Sequence, residues 1–287
     1  MRIHIRHEIA HGFEPPVRFL NATLRLTPRS HESQHVARWR VEIDGDSRIR
    51  AFDDGFGNCR HTLSMSDRTD ALRILAEGVV DTFDAAGIVR ATVERFPPEM
   101  FLRETALTQP DPRLREIAGK IGAGDRIDRL HELLRKTTEH LKITKEPKTS
   151  IEKEKEKPAA SQTQVVAGQK QSQDAGDEPD EIAEVSAEES KRLAHDFIIC
   201  ARLIGAPARF VSGYYLDPET DKGGAHCWAE SYVEGVGWIG FDPTHIICPH
   251  ESHVRMAVGL DALDAASVRV APTPSDMTER VEVRRQS

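Results

Sequence analysis

Three stretches in the C-terminal third of the chain decide the fold: ARLIGAPARFVSGYY (201–215), AHCWAESYV (225–233) and GVGWIGFDPTH (235–245). The first predicts the end of a helix, because Gly205 favours a helix C-terminus and Pro207 cannot continue one. A short strand is predicted next, over 210–214. The other two stretches predict a β-hairpin with a glycine-containing turn. A helix followed by an antiparallel sheet indicates an α+β fold.

The helix before Gly205 is predicted to start at Ala187. Its apolar residues recur at helical spacing and lie on one face with Ser190. The members of this face are Ser190, Ala194, Phe197, Ile198 and Ala201. A second helix is predicted after Asp125, which can cap it, and is expected to serve packing.

The N-terminal hundred residues alternate between apolar and polar side chains, as in Ile3 and Ile5, Leu20 to Leu26, and Trp39 to Ile43. Period-2 alternation is typical of strands with one buried face. Several such strands separated by turns predict a β-sandwich, which we interpret as a scaffold or docking domain.

The composition changes abruptly between Glu146 and Ser186, where the chain contains EKEKEK and no Leu, Phe, Tyr or Trp. Such a segment buries too little apolar surface to offset the entropy of ordering it. The resulting prediction divides the chain into a β-rich domain (1–108), a helical start of the core (109–145), a charged disordered linker or insertion (146–186), the core (187–270) and a loose tail (271–287).

Bulk properties exclude several classes of protein. The 287-residue chain has a net charge of -8, whereas a nucleic-acid-binding surface needs clustered Lys and Arg. The sequence contains no apolar run of membrane-spanning length and no basic-then-apolar leader. Its four cysteines form no CxxC pair, which is typical of reduced thiols. We therefore expect a cytoplasmic protein with no nucleic-acid or membrane partner.

The C-terminal stretches, in this order, resemble the bacterial transglutaminase-like superfamily, whose members typically contain GVCxDFAH, GIPARYVSGY, HAWVEVY and GWxGFDPTN. GFEPPVRFLNATLRLTPRS (12–30) and RFPPEMFLRET (95–105) look like the β-domain that precedes the core in a bacterial subgroup. HVRMAVGLDALDAASV (253–268) resembles the closing segment of that subgroup. The resemblance implies an N-terminal β-sandwich followed by a papain-type core of helix plus antiparallel sheet.

The resemblance also implies a catalytic triad. In this family a cysteine at the N-terminus of the core helix attacks an amide carbonyl, a histidine moves protons, and an aspartate orients the imidazole. His226 in HCWAE matches the family's histidine, and Asp242 in GFDPT matches its aspartate. Because both belong to one hairpin, away from its turn, we expect them to be in contact.

The nucleophile position departs from the family pattern. Alignment through GAPARFVSGY matches His195 to the DFAH histidine and places Ser190 where the cysteine stands. Glu188-Glu189 replaces the usual Gly-Val, and Arg192 stands where an acidic residue is common. A serine hydroxyl is far less acidic than a thiol, whose reference pKa is about 8.5. Two carboxylates at a helix N-terminus further oppose an anionic nucleophile. Ser190 is thus a weak candidate nucleophile.

The cysteines offer no good replacement for Ser190. Cys200 lies nearly three helical turns beyond it, and Cys227, beside His226, is expected on the opposite strand face. Cys248 follows the FDPTH segment closely, so position alone leaves it open.

A group of histidines near Cys248 raises the question of a metal site. His245, His250 and His253 give the spacing H-x₂-C-x-H-x₂-H, which is not a strong zinc pattern. We interpret them as loop histidines and predict no metal or other cofactor.

The residues support three functional hypotheses. In the first, which we favour, the chain is a weak or inactive family member that keeps a cleft for a peptide or amide-bearing ligand. In the second, an amidase, peptidase or acyltransferase uses Ser190, His226 and Asp242, or Ser190 is an engineered replacement of a native cysteine. In the third, the protein is a non-enzymatic scaffold. Glu188-Glu189 favours the first hypothesis, because deliberate inactivation changes one residue and leaves its neighbours alone.

Overall fold

Strands dominate the protein, which the computed structural model describes over residues 1–44, 48–145 and 181–286. The described strands are β1 (Arg2–Val17), β2 (Leu20–Thr27), β3 (Gln34–Ile43), β4 (Arg48–Asp53), β5 (Cys59–Met65), β6 (Thr69–Thr82), β7 (Ile88–Val89), β8 (Ala208–Leu216), β9 (Lys222–Val233), β10 (Gly237–Phe241), β11 (His253–Gly259), β12 (Val268–Ala271) and β13 (Asp276–Arg285). The described α-helices are α1 (Pro112–Gly119), α2 (Arg126–Lys145) and α3 (Glu181–Leu203), and a 3₁₀ helix spans Pro98–Leu102. The fold is α+β, as predicted.

The N-terminal region is a sandwich of two antiparallel layers. One layer contains β1, β6 and β3, and the other has the strand order β12-β2-β5-β4. The predicted alternation is confirmed, because Ile3, Ile5 and Leu24 are fully buried. The register shift in β3 between Val36 and Arg38 lies where the strand's alternation is interrupted. A bulge of this kind changes which residues face the core.

The layer that contains β1 continues into the C-terminal core. Its strand order is β11-β8-β9-β13-β1-β6-β3, with β10 paired to β9 and to β7. β13 pairs with β1 from Arg285 opposite Ile3 to Asp276 opposite Gly12, and at its other edge Val283 pairs with Gly223 of β9. One sheet therefore connects the sandwich to the core.

The C-terminal segment corrects one prediction. Residues 271–287 were expected to be loose because they are mostly polar, yet Asp276–Arg285 form β13. The edge of β1 supplies backbone hydrogen-bond partners for alternate residues of β13. Val283, only 2% exposed, packs into the core with Ile5. Backbone pairing is independent of side-chain polarity, so a polar strand can complete a sheet.

The core helix α3 packs on β9 and β8 with the predicted apolar face, including Ala194, Phe197 and Ile198. It begins at Glu181 rather than at the predicted Ala187. The rest of the predicted linker, residues 146–180, lies outside the described residues.

Helices α1 and α2 flank α3 and bury Leu114 and Leu130 against it. The predicted cap of α2 is present, since the Asp125 carboxylate accepts a hydrogen bond from Ile127 N at 3.2 Å. α1 was not predicted. The Asp111 carboxylate caps α1 by accepting from Leu114 N at 2.7 Å.

The predicted hairpin is formed by β9 and β10, with Phe241 opposite Ala229. Its turn includes Gly235 at φ 79°, a conformation that favours glycine. Trp228 and Trp238 are 2% and 4% exposed, as expected for the strands that carry the site.

Among the described helices, none combines the length and apolarity needed to cross a bilayer.

Candidate active site

His226 and Asp242 meet at one end of the β9–β10 hairpin. His226 lies within β9, and Asp242 directly follows Phe241, the last residue of β10. Nε2 of His226 lies 2.8 Å from Oδ2 of Asp242. Both residues are buried, with Asp242 fully so. The structure therefore brings these two predicted site residues into direct contact.

Two more imidazoles reach the same carboxylate oxygen. Nδ1 of His245 lies 2.7 Å from Asp242 Oδ2, and Nε2 of His253 lies 3.1 Å from it. His245 belongs to the loop after β10, and His253 opens β11. The other oxygen, Oδ1, accepts a hydrogen bond from the backbone N–H of Thr244 at 2.9 Å. Asp242 is thus the centre of a three-histidine cluster.

The cluster stabilises the ionised form of Asp242. Burial by itself raises the pKa of this carboxyl, but interaction with His226 and hydrogen bonds from His245 and His253 outweigh burial and hold the pKa well below its usual range. Burial lowers the pKa of His253 to about 4, despite its bond to Asp242. His253 is therefore a neutral imidazole at neutral pH.

Aromatic rings enclose the cluster. The Tyr215 ring centroid lies 4.2 Å from that of His245 and 4.9 Å from that of His253. On the other side, Trp228 contacts His253 edge to face at 5.4 Å. These rings limit water access, which strengthens the electrostatic interactions of the carboxylate.

Ser190, the third predicted site residue, makes different contacts. It is fully buried, and its hydroxyl donates to the carbonyl oxygen of Ala187 at 2.9 Å. Its Oγ accepts the backbone N–H of Cys227 at 3.2 Å. Within the described ranges, no hydrogen bond connects Ser190 to His226. Ser190 therefore contacts the residue next to the histidine rather than the imidazole.

The predicted position of Ser190 at a helix N-terminus is wrong. α3 begins at Glu181, so Ser190 lies well inside the helix, and the carbonyl that accepts its hydroxyl belongs to the preceding turn. The residues before Ser190 include Ala and Glu, which are strong helix formers, and no glycine interrupts them. The free N–H groups of a helix N-terminus are consequently not available at this position.

No cysteine is activated in the described structure. Burial raises the pKa of Cys200 and of Cys227 to about 12, and it also raises the pKa values of Cys248 and Cys59. A reactive thiol needs a lowered pKa. Cys227 packs with the α3 core cluster, on the opposite strand face from His226 as expected.

The histidine cluster is the part of the site that the sequence analysis missed. The four donor atoms of His226, Asp242, His245 and His253 all lie within 4.8 Å of one another. The sequence analysis considers His245 and His253 together with Cys248 and His250. Among the described residues, Cys248 and His250 are not part of this group of four donor atoms. The sequence feature that could have indicated this cluster is His245, which lies three positions after Asp242 and directly after the FDPT motif.

Comparisons with known proteins agree with this architecture. The family model for the bacterial transglutaminase-like N-terminal region matches residues 3–81, and that for the transglutaminase-like superfamily core matches residues 139–243. An uncharacterised protein of Mycobacterium leprae (strain TN) is 25% identical over 286 residues, which cover 93% of this chain and 92% of that protein.

A solved structure has the same fold. The crystal structure of a proposed cysteine protease from Cytophaga hutchinsonii aligns with a TM-score of 0.63 at 20% identity, covering 100% of this chain and 92% of that one. The range that matches the transglutaminase-like core, residues 139–243, includes both His226 and Asp242. The resemblance predicted from the sequence is confirmed: residues 3–81 match the bacterial transglutaminase-like N-terminal region, and residues 139–243 match the transglutaminase-like superfamily.

Proposed function

We propose that this protein is a transglutaminase-like protein without thiol acyl-transfer activity, which binds a peptide or another amide-bearing ligand. The observation that carries the proposal is the hydrogen bonding of Ser190. Its hydroxyl proton is donated to Ala187 O, and its Oγ accepts from Cys227 N. A serine nucleophile needs a base that takes its proton during attack, and the hydroxyl is directed away from such a base.

The surroundings of Ser190 also lack the usual activation. A fully buried hydroxyl inside a helix is not accessible to a substrate carbonyl. Glu188, two residues earlier, forms an ion pair with Lys191, and among the described residues no hydrogen bond joins its carboxylate to Ser190. Family members use helix N-terminal N–H groups and a thiolate, and Ser190 has neither.

A small cavity beside the histidine cluster supports ligand binding. It has a volume of about 40 Å³ and lies between the N-terminal region and the core. Its lining includes His31, Trp228, Glu230, His253 and Arg255. A cavity of this size suits the head of one side chain rather than several residues.

One residue of the cavity wall, His31, has an unpartnered nitrogen that suits a polar ligand. Nε2 of His31 is buried and has no hydrogen-bond partner among the described residues. Burial lowers the pKa of His31 to about 4, so the imidazole is neutral and its free nitrogen either donates or accepts. A carboxamide has both an N–H donor and a carbonyl acceptor. Glutamine and asparagine side chains are therefore suitable ligands.

The activity arm of the test uses the purified full-length chain. Amine incorporation into a glutamine peptide, glutamine deamidation and peptide hydrolysis are measured for wild type, Ser190→Ala and His226→Ala. We expect no turnover above background in any of the three. Turnover by wild type that disappears in Ser190→Ala would establish a serine enzyme and overturn the proposal.

The binding arm uses calorimetry with matched glutamine and glutamate peptides. We expect the glutamine peptide to bind and His31→Ala to weaken binding by about fivefold, the effect of losing a hydrogen bond of about 1 kcal/mol. His35→Ala, at an exposed residue of β3, is the matched control and should bind like wild type. Failure of both peptides to bind would favour the scaffold hypothesis.

A further inference from the structure

The three imidazoles around Asp242 converge on a single point, although their residues come from three separate elements. His226 lies in β9, His245 in the loop after β10, and His253 in β11. We propose that His226, Asp242, His245 and His253 bind a divalent transition-metal ion such as Zn²⁺. This inference does not depend on the proposed ligand-binding function, because it concerns only these four side chains.

The donor set matches the chemistry of zinc. Imidazole nitrogen and carboxylate oxygen are both common zinc ligands, and four-coordinate sites are tetrahedral. With metal–ligand bonds of about 2.0–2.1 Å, tetrahedral donors lie about 3.3 Å apart. Here the nitrogens of His245, His226 and His253 lie 2.7, 2.8 and 3.1 Å from Asp242 Oδ2. The four donor atoms all lie within 4.8 Å of one another, so a tetrahedral cage would need the nitrogens to move slightly away from Oδ2 and closer to one another.

The hydrogen bonding of the carboxylate gives a second reason. A carboxylate oxygen has two lone pairs, yet three imidazole nitrogens lie within 3.1 Å of Asp242 Oδ2. Without an ion, all three rings must present an N–H to the same oxygen. A cation at the centre removes this competition, because each nitrogen and the oxygen then supplies one lone pair to it.

Burial and orientation of the ligands also favour an ion. Asp242 is fully buried, and His226 and His253 are 3% and 6% exposed. Thr244 N holds the second carboxylate oxygen, and metal-ligating carboxylates are usually fixed in this way. Four protein ligands complete a tetrahedral coordination shell and leave no coordination position open. The site would therefore be structural, with the ion connecting β9 to β11.

One hydrogen bond must change on binding. His250 N donates to Nδ1 of His253 at 3.3 Å, which places the ring proton on Nε2, the atom that faces Asp242. Ligation through Nε2 moves that proton and releases this long bond. Metal binding should consequently alter the amide signal of His250 as well as those of the ligands.

The test uses the tag-free full-length chain after treatment with a chelator. Zn²⁺ is titrated by calorimetry, and Co²⁺ is used as a spectroscopic probe of geometry. We expect one equivalent of Zn²⁺ to bind, the visible bands of tetrahedral Co²⁺, and a melting temperature that rises with Zn²⁺ concentration.

Two variants identify the ligands. His245→Asn changes a half-exposed loop residue and should leave the fold intact, while His253→Asn removes a buried ligand. Each should weaken Zn²⁺ binding by more than about 100-fold, which exceeds the usual cost of losing an outer-shell partner. His250→Asn, at a neighbouring histidine outside the donor set, should bind Zn²⁺ like wild type.

Circular dichroism confirms folding of each variant before titration. Equal Zn²⁺ affinity in wild type and a folded His245→Asn variant would overturn the proposal, since binding would then come from surface histidines. Less than half an equivalent bound, or octahedral Co²⁺ spectra, would overturn it as well.

Discussion

The backbone N–H of Cys227 donates to Oγ of Ser190 across 3.2 Å and joins the core helix α3 to strand β9. Cys227 follows His226 in β9, and its side chain packs in the core cluster with α3. Oγ of Ser190 is thus hydrogen-bonded to the backbone of the residue next to His226, and among the described residues no hydrogen bond joins it to the imidazole. The hydroxyl at the position that matches the family's nucleophile is therefore engaged in two backbone hydrogen bonds, to Ala187 and from Cys227.

Restoring a cysteine at this position should not restore a reactive thiol. In Ser190→Cys the new thiol would be as buried as Cys227, whose pKa burial raises to about 12. We expect Ser190→Cys to react with iodoacetamide no faster than wild type at neutral pH, as measured by mass spectrometry of the modified peptide. Rapid alkylation at residue 190 that is lost on adding His226→Ala would show instead that the triad geometry is available.

Trp238 is expected to contribute strongly to stability. It is 4% exposed, contacts Phe101 edge to face at 5.0 Å and lies under the Arg209 guanidinium at 3.8 Å. Trp238→Ala should lower the free energy of unfolding by about 3–5 kcal/mol, as large aromatic truncations do in cores. Urea denaturation measures the change.

The control for Trp238→Ala is Phe19→Ala, because Phe19 is 71% exposed. This surface truncation should change the free energy of unfolding by about 0.5 kcal/mol or less. A similarly small effect of Trp238→Ala would mean that the hairpin is not packed as described.

β13 should be required for a stable sheet. Val283 is 2% exposed and packs between β1 and β9, whereas the side chain of its neighbour Arg284 is 67% exposed. Val283→Asp buries an unpaired charge and should strongly lower the melting temperature, while Arg284→Asp should leave it nearly unchanged. Equal melting temperatures for the two variants would indicate that the C-terminal segment is not docked in solution.

A buried ion-pair cluster should make the protein sensitive to acid. Glu230 is fully buried, with its carboxylate 2.6 Å from Arg209 and 2.7 Å from Arg255, and Glu94 also pairs with Arg209. Burial raises the pKa of Glu230, but Arg255 and Arg209 outweigh it and lower the pKa to about 2. The unfolded chain has a value near 4.3.

Because the folded pKa is the lower one, ionised Glu230 stabilises the protein fully above about pH 4.3 and progressively less as the pH falls towards 2. Glu230→Gln should therefore be less stable at pH 7 and show a weaker loss of melting temperature below pH 4. Glu234→Gln, in the exposed hairpin turn, should keep the wild-type pH dependence. The same slope in wild type and Glu230→Gln would contradict the assignment.

Much of the fold follows from local sequence patterns. Alternation in β1 and β2, helical spacing from Ala194 to Ala201, and the Gly-rich hairpin turn each depend on residues close together in the chain, so their physics is local. β13 could not be predicted in this way. Its partner β1 begins at Arg2, and a largely polar segment becomes a strand only where an edge strand is available to it.

The sequence by itself predicted the contact between His226 and Asp242, because both residues lie at the end of the β9–β10 hairpin away from its turn, just beyond the pair of Phe241 and Ala229. Only the tertiary structure decided which other groups join them. β11 brings His253 to Asp242, and β9 brings the backbone N–H of Cys227 to Oγ of Ser190. These two outcomes depend on packing between elements distant in sequence, and periodicity and motif spacing contain no information about such contacts.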